Sequence, residues 1–262
     1  MTLTGCGDIQ QGAGQGRYLG LPEPTSDRAQ AMGQMYVGSW IAAFIVGALV
    51  LAILIYSIIK FRRRDPNEVP RQVRYNLPME FVYTLVPIVI VCVLFFYTVG
   101  TQNFVQAKAD TNTVHKIDVV GFKWSWAFNY KEAGNPAIGA DVNQIGTIES
   151  PPTLVLPVNE PVRFTLYSPD VIHSFWVPSF YYKLDVIPGR SNTFDVTPTK
   201  LGTFAGKCAE LCGTYHSAML FNVQIVTPQE YQAYLKGLQA QGQTGTFYGP
   251  LQNNPQLQKE GN

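Results

Sequence analysis

Cys208-Ala209-Glu210-Leu211-Cys212-Gly213-Thr214-Tyr215-His216-Ser217-Ala218-Met219 is the stretch from which the rest of the chain is best read. It holds two thiols, an imidazole and a thioether, and His173 lies upstream at a strand-like run. Thiolate and thioether are soft ligands that suit copper, and imidazole suits copper too. A mononuclear blue-copper site uses one Cys, two His and a weak axial Met. This set is one thiolate too rich for that. Two thiolates can bridge two copper ions and leave one His for each, so a binuclear electron-transfer centre is the first expectation. A close Cys pair outside the cytoplasm is also ordinary disulfide material.

Around the loop, short β-branched and aromatic runs alternate with turn residues from about Thr113 onward. Strands are expected at 117–120, 122–128, 153–156, 162–168, 172–177, 192–196, 203–207 and 221–226. Many short strands with regular turn signals predict an all-β sandwich or barrel, here a Greek-key, cupredoxin-like barrel. The ligand loop then joins the last two strands, and His173 lies on another connection at the same end. A short helix is expected over 229–239, followed by a Gln/Gly/Asn-rich tail expected to be loose.

Further out lie two apolar runs. Trp40–Ile59 carries no charge, and neither does Phe81–Val99, which contains only Pro87 as a breaker. Each approximates the roughly 20 residues that a helix needs to cross a bilayer, and proline is tolerated there. The connection holds Lys60, Arg62, Arg63, Arg64, Arg71 and Arg74 against Asp65 and Glu68. The positive-inside rule places it in the cytoplasm and both termini outside. Leu3-Thr4-Gly5-Cys6 resembles a lipobox, with Cys6 as a lipid-anchor site and the start of a longer precursor missing. Residues 7–30 are expected to be irregular. The expected organisation is an extracytoplasmic arm (1–31), a transmembrane hairpin (32–102), a β-domain (103–227) and a helix with tail (228–262).

Composition narrows the function. A net charge of +1 over 262 residues gives no footprint for nucleic acid. Four Cys are too few for a disulfide scaffold. No phosphate-binding glycine loop and no CxxCH haem-attachment motif occurs. Cys92, inside the second apolar run, is expected to pack, and His115 to be structural.

Together these residues resemble subunit II of the haem–copper cytochrome c oxidases. The resemblance rests on Asp170-Val171-Ile172-His173-Ser174-Phe175, Lys183, Asp185, Pro188-Gly189-Arg190 and the ligand loop, in that order. It covers roughly residues 36–226 and leaves out the arm, the insertion-like stretch 131–148 and the tail. It implies a binuclear copper A centre. Cys208 and Cys212 would bridge both ions, His173 and His216 would bind one each, and Met219 and the Glu210 carbonyl would be weak ligands. The Glu210 carboxylate would reach a Mg or Mn ion shared with subunit I.

The resemblance also implies that Trp124 receives the electron from cytochrome c, or from a membrane-bound c-type cytochrome, whereas Trp126 packs in the core. Phe122-Lys123 stands where a His-Gln pair is frequent, so the docking surface is expected to differ. Asp141, Glu149, Asp170 and Asp185 are the acidic candidates for attracting a donor. Glu80, in Glu80-x-x-Tyr83-Thr84-x-x-Pro87, would lie at the mouth of a proton channel into subunit I. A carboxylate that merely stabilises a helix start is the plainer reading of Glu80. A quinol oxidase subunit would lack the copper ligands. A metallochaperone would have no use for Trp124 or Glu80. A nitrous oxide reductase would need a further His-rich domain, and this chain has three His.

Overall fold

The computed structural model describes residues 18–67, 69–70 and 72–249. Cys6, Glu68, Arg71 and residues 250–262 lie outside them. The chain forms two units, Met32–Val105 and Met1–Ala31 with Gln106–Asn262.

The first unit is helical. Helix α1 runs Asp27–Lys60 and α2 runs Leu77–Gln106. Both are long and apolar enough to cross a membrane, and their apolar windows are unburied within the chain. Each is longer than its uncharged run: α1 extends it mainly at the N-terminal end and α2 at both ends. Pro87 lies inside α2. Asn76 caps α2: its side chain accepts from Met79 N at 3.3 Å, and its own N–H donates to the Glu80 carboxylate at 3.0 Å. Glu80 therefore does satisfy a helix start, as the plainer reading expected.

The second unit is a sandwich of two five-stranded sheets. Its strands are β1 (His115–Phe122), β2 (Ser125–Tyr130), β3 (Val142–Ile145), β4 (Thr153–Pro157), β5 (Val162–Tyr167), β6 (His173–Val177), β7 (Tyr182–Val186), β8 (Asn192–Val196), β9 (Gly202–Cys208) and β10 (Leu220–Val226). The sheet orders are β3-β2-β1-β5-β8 and β4-β10-β9-β6-β7. Trp126, Phe128, Phe164, Phe175, Phe221 and Val223 fill the space between them. The period of two sets this layer: Trp126, Phe128 and Tyr130 point inward from alternate positions of β2.

Three expectations change. The run 122–128 is two strands, not one: β1 and β2 are paired antiparallel with Phe122 opposite Ser125, and Lys123-Trp124 makes the turn. Strands β3 and β7 arise where none was expected. The tail is held in place as far as residue 249, beyond helix α3 (Pro228–Ala240). There Asn143 N donates to Gln243 O, and Phe247 N donates to the Asn129 side chain at 2.8 Å. Phe247 and Tyr248 cover Val120, Ala127 and Tyr167 on the outer face of the first sheet. That is why β2 is buried on both faces.

The arm is also partly ordered. Thr25 N donates to Ser179 O at 3.0 Å, and Thr199 N donates to Thr25 O at 2.8 Å. His115 is structural: its ring meets Glu160 at 2.8 Å, Glu132 at 3.8 Å and the face of Tyr231 in α3.

Asp195 holds the sheet edge. Its carboxylate is 1% exposed and accepts from Arg163 Nε at 2.9 Å, Arg163 Nη2 at 2.8 Å and Ala109 N at 2.6 Å. Burial opposes its ionisation, but the Arg163 guanidinium and the Ala109 N–H hold it below the usual carboxylate range. Its stabilisation is therefore present above the unfolded-state pKa near 3.9 and is lost as pH falls through the lower folded value. Asp195→Ala leaves the half-buried Arg163 guanidinium with only Ala109 O and Thr111 Oγ1 as partners, and should destabilise the domain by about 2 kcal/mol. A loss below about 1 kcal/mol in thermal unfolding at neutral pH would contradict this role.

Candidate metal centre

The ligand loop is a short bridge between adjacent antiparallel strands. Cys208 ends β9 and Leu220 begins β10, and Cys208 N donates to Met219 O at 3.1 Å to close the base. His216 N bonds back to Gly213 O, and Ala218 N to Tyr215 O, so main-chain bonds fold the loop tightly. Ala209 N donates to Ser174 O at 3.0 Å, which ties the loop to the strand that starts with His173. The Trp126 indole N–H reaches Met219 O at 3.4 Å from beneath.

This scaffold brings five side-chain donors and one carbonyl to one place. Cys208 Sγ and Cys212 Sγ are 3.9 Å apart. His173 Nδ1 is 3.9 Å from Cys208 Sγ, and His216 Nδ1 is 3.5 Å from Cys212 Sγ. Met219 Sδ lies 3.7 Å from Cys212 Sγ, and Glu210 O lies 3.2 Å from Cys208 Sγ. A disulfide needs about 2.05 Å, so both thiols are free. Bond lengths of about 2.3 Å to sulfur and 2.0 Å to nitrogen put two donors of one tetrahedral ion about 3.5–3.8 Å apart. The separations among the thiols, imidazoles and thioether, 3.5–3.9 Å, lie close to that spacing. His173, Cys208 and Cys212 are all buried.

Each thiol has its own imidazole: His173 meets Cys208 and His216 meets Cys212. Burial opposes ionisation of Cys208, but His173 and nearby main-chain groups bring its thiol below the ordinary value. Burial and then the adjacent Cys208 push Cys212 up. The pair gives up one proton readily and resists losing the second, because two bare thiolates so close repel. Cationic charge between them would relieve that repulsion.

Asp170 orients the site. Its Oδ1 lies 2.8 Å from His173 Nε2, which fixes the proton there and leaves the Nδ1 lone pair facing Cys208 Sγ, able to accept from the thiol or to ligate a metal. Its Oδ2 accepts from Lys123 N at 2.7 Å. Burial is the largest influence on this carboxyl, yet His173 and the N–H groups of Lys123 and Val171 hold it below the usual range. One carboxylate thus clamps both a ligand loop and the β1–β2 turn. Sequence reasoning placed Asp170 in a motif and among the docking acids but missed this clamp. Its position three residues before His173 was the available signal.

Trp124 stands on that turn, not on a strand. It is half-buried, and its indole N–H donates to Cys212 O at 3.1 Å. Gly213 makes room for it: φ is +118°, and a Cβ there would lie 3.2 Å from the indole nitrogen. Trp126 is fully buried in the core, as expected. Glu210 is exposed, with only its carbonyl turned to the thiols. Of the other acids, Asp141 is paired with Lys131 at 2.5 Å, while Glu149 and Asp185 are exposed. Glu80 belongs to the helical unit.

A β-sandwich with a buried thiol–imidazole cluster that could hold a metal, carried on a chain with two membrane-spanning helices, defines a membrane-anchored cupredoxin-like protein. The periplasmic-domain model of cytochrome c oxidase subunit II matches residues 115–226, and the transmembrane-domain model of that subunit matches residues 15–100. A probable cytochrome c oxidase subunit 2 of Streptomyces coelicolor is 45% identical over 262 aligned residues, covering 87% of this chain and 81% of that protein. The corresponding protein of Streptomyces avermitilis is 44% identical at the same coverage. The solved periplasmic domain of subunit II from Bradyrhizobium japonicum is 28% identical, with a TM-score of 0.44, over 52% of this chain and 97% of that one. The chain belongs to the cytochrome c oxidase subunit II family and is one part of a cytochrome c oxidase.

Proposed function

We propose that this chain is the electron-input subunit of its oxidase. It would take single electrons from a c-type cytochrome at a binuclear copper A centre and pass them to haem in subunit I. There oxygen is reduced to water, coupled to proton pumping. The observation that carries this reading is the pairing of two facing thiols with one imidazole each. Cys208 and Cys212 would bridge, His173 and His216 would each hold one ion, and Met219 and Glu210 O would be weak ligands. When bound, the copper pair supplies a one-electron acceptor whose charge is shared through both sulfurs. The chain's own part is to keep the donors still. The β9–β10 base, the Asp170 clamp and the Trp126 floor fix them before and after transfer, so little reorganises.

Trp124 would be the entry point, because its indole bonds the carbonyl of a bridging Cys. Metal-depleted oxidase should keep its haems yet lose fast reduction by cytochrome c, and copper should restore it. Undiminished reduction without metal would refute the assignment. The Glu210 carboxylate would reach a Mg or Mn ion at subunit I. A bound-manganese signal that survives Glu210→Ala would rule that out.

Glu80 would serve the mouth of a proton channel as well as its helix cap. Glu80→Gln keeps an oxygen for the Asn76 N–H but loses the charge, so it should slow proton uptake and leave copper in place. Unchanged turnover and pumping would sink the channel role. The charges of the 60–76 loop favour a cytoplasmic connection and extracytoplasmic termini in a plasma membrane, with the β-domain spanning about residues 103–227. Mass analysis of the mature N-terminus would decide whether Cys6 carries lipid.

A further inference from the structure

The ring of Tyr215 does nothing for the loop that carries it. The loop is closed by main-chain bonds, in which Tyr215 contributes its carbonyl to Ala218 N at 2.9 Å. Its side chain stands outside the core and is 51% exposed. What the ring does touch is Trp124: the centroids are 5.0 Å apart and the planes meet at 79°. Trp124 is therefore held on three sides by one loop. Cys212 O accepts its N–H, Gly213 lies under its ring, and Tyr215 walls its outer side. The same loop carries His216, the next residue after Tyr215.

We infer that Tyr215 is a positioning residue for electron entry, acting through Trp124. The inference rests on Trp124 being the entry point. An edge-to-face aromatic pair is a favoured ring arrangement, so it biases the half-exposed indole toward one rotamer. Electronic coupling falls steeply with distance, so an indole free to swing out is a poorer bridge. The donor loses one electron and the metal centre gains one. No bond or proton changes at either ring. Because Tyr215 acts on geometry, its loss should lower the input rate at saturating donor and leave KM for the donor nearly unchanged.

The test uses the full chain, labelled with 5-fluorotryptophan at its four Trp positions. In the metal-free protein, Tyr215→Ala should shift and broaden the Trp124 fluorine resonance and leave the other three in place. In the copper-loaded oxidase the same variant should slow electron input by about 10-fold, with the copper spectrum unchanged. Tyr215→Phe should restore both. If Tyr215→Ala fails to fold, shown by movement of all four resonances, Tyr215→Leu takes its place. An input rate within about twofold of the parent overturns the inference. So does a slowed rate with an unmoved Trp124 resonance, since Tyr215 would then act by direct donor contact. Trp124→Leu separates the two levels. If it also retains fast input, the entry reading has failed. If it alone is slow, only the role of Tyr215 has failed.

Discussion

Cys212→Ser should give a folded chain that holds no binuclear centre. Serine is close in size, and the main-chain bonds that close the loop do not use the sulfur. The added hydroxyl sits in a nearly buried position, 5% exposed, so the stability loss is about 1–2 kcal/mol. The metal consequence is far larger. Cys212 Sγ meets both His216 Nδ1 and Met219 Sδ, at 3.5 and 3.7 Å. Removing it separates those two donors from Cys208 and His173. Loss of a hydrogen-bond partner of a ligand typically weakens metal affinity or activity about 10–100-fold, and loss of a bridging ligand should exceed that. Turnover on reduced cytochrome c should fall to background while haem content stays normal. Normal turnover in this variant would show that the sulfur pair is not the input site.

Trp126→Ala should be the most destabilising single change near the site. Its ring is fully buried against Phe175 and Phe221, with centroids at 5.8 and 5.4 Å, and its N–H supports Met219 O. Truncation of a buried Trp removes about 3–5 kcal/mol, a large part of the roughly 5–15 kcal/mol that holds a domain folded. Trp124→Ala, at a half-exposed turn, should remove about 1 kcal/mol and act on electron input instead. Thermal unfolding of the two variants in detergent compares them directly. Equal loss of stability would erase the distinction between a packing tryptophan and an entry tryptophan.

The amino-acid pattern carries that distinction only in part. Residues two apart on a strand share a face, so alternation alone would send Trp124, Trp126 and Phe128 into the core together. The two tryptophans do not lie on one strand, however. Phe122-Lys123-Trp124-Ser125 contains no Gly, Pro, Asn or Asp to announce its turn, and Ser125 alone is a weak signal. The clamp from Asp170 to Lys123 N helps hold the turn, and such a tertiary contact cannot be read locally. The ligand loop is the opposite case. Its spacing is local, and it brings the Cys208, His216 and Met219 side chains within 3.9 Å of Cys212 Sγ. His173 joins them only through strand pairing of β6 with β9.

Strands β3 and β7 escape a sequence reading for different reasons. Val142-Asn143-Gln144-Ile145 is too polar at its centre to signal a strand, and it forms because β2 and the tail segment cover both of its edges. Tyr182-Lys183-Leu184-Asp185-Val186 does alternate, but five residues after a Pro-containing turn are easily passed over. The tail misleads through composition. Its Gln, Gly and Asn content predicts a loose segment, yet Phe247 and Tyr248 supply an apolar patch that docks on the outer sheet.

Copper stoichiometry with an electron paramagnetic resonance spectrum of the full-length, copper-loaded chain tests the central claim most directly. Two coppers per chain, with one unpaired electron spread equally over both, is the result expected from two bridging thiolates with one imidazole each. One copper per chain with its electron localised on a single ion would contradict it.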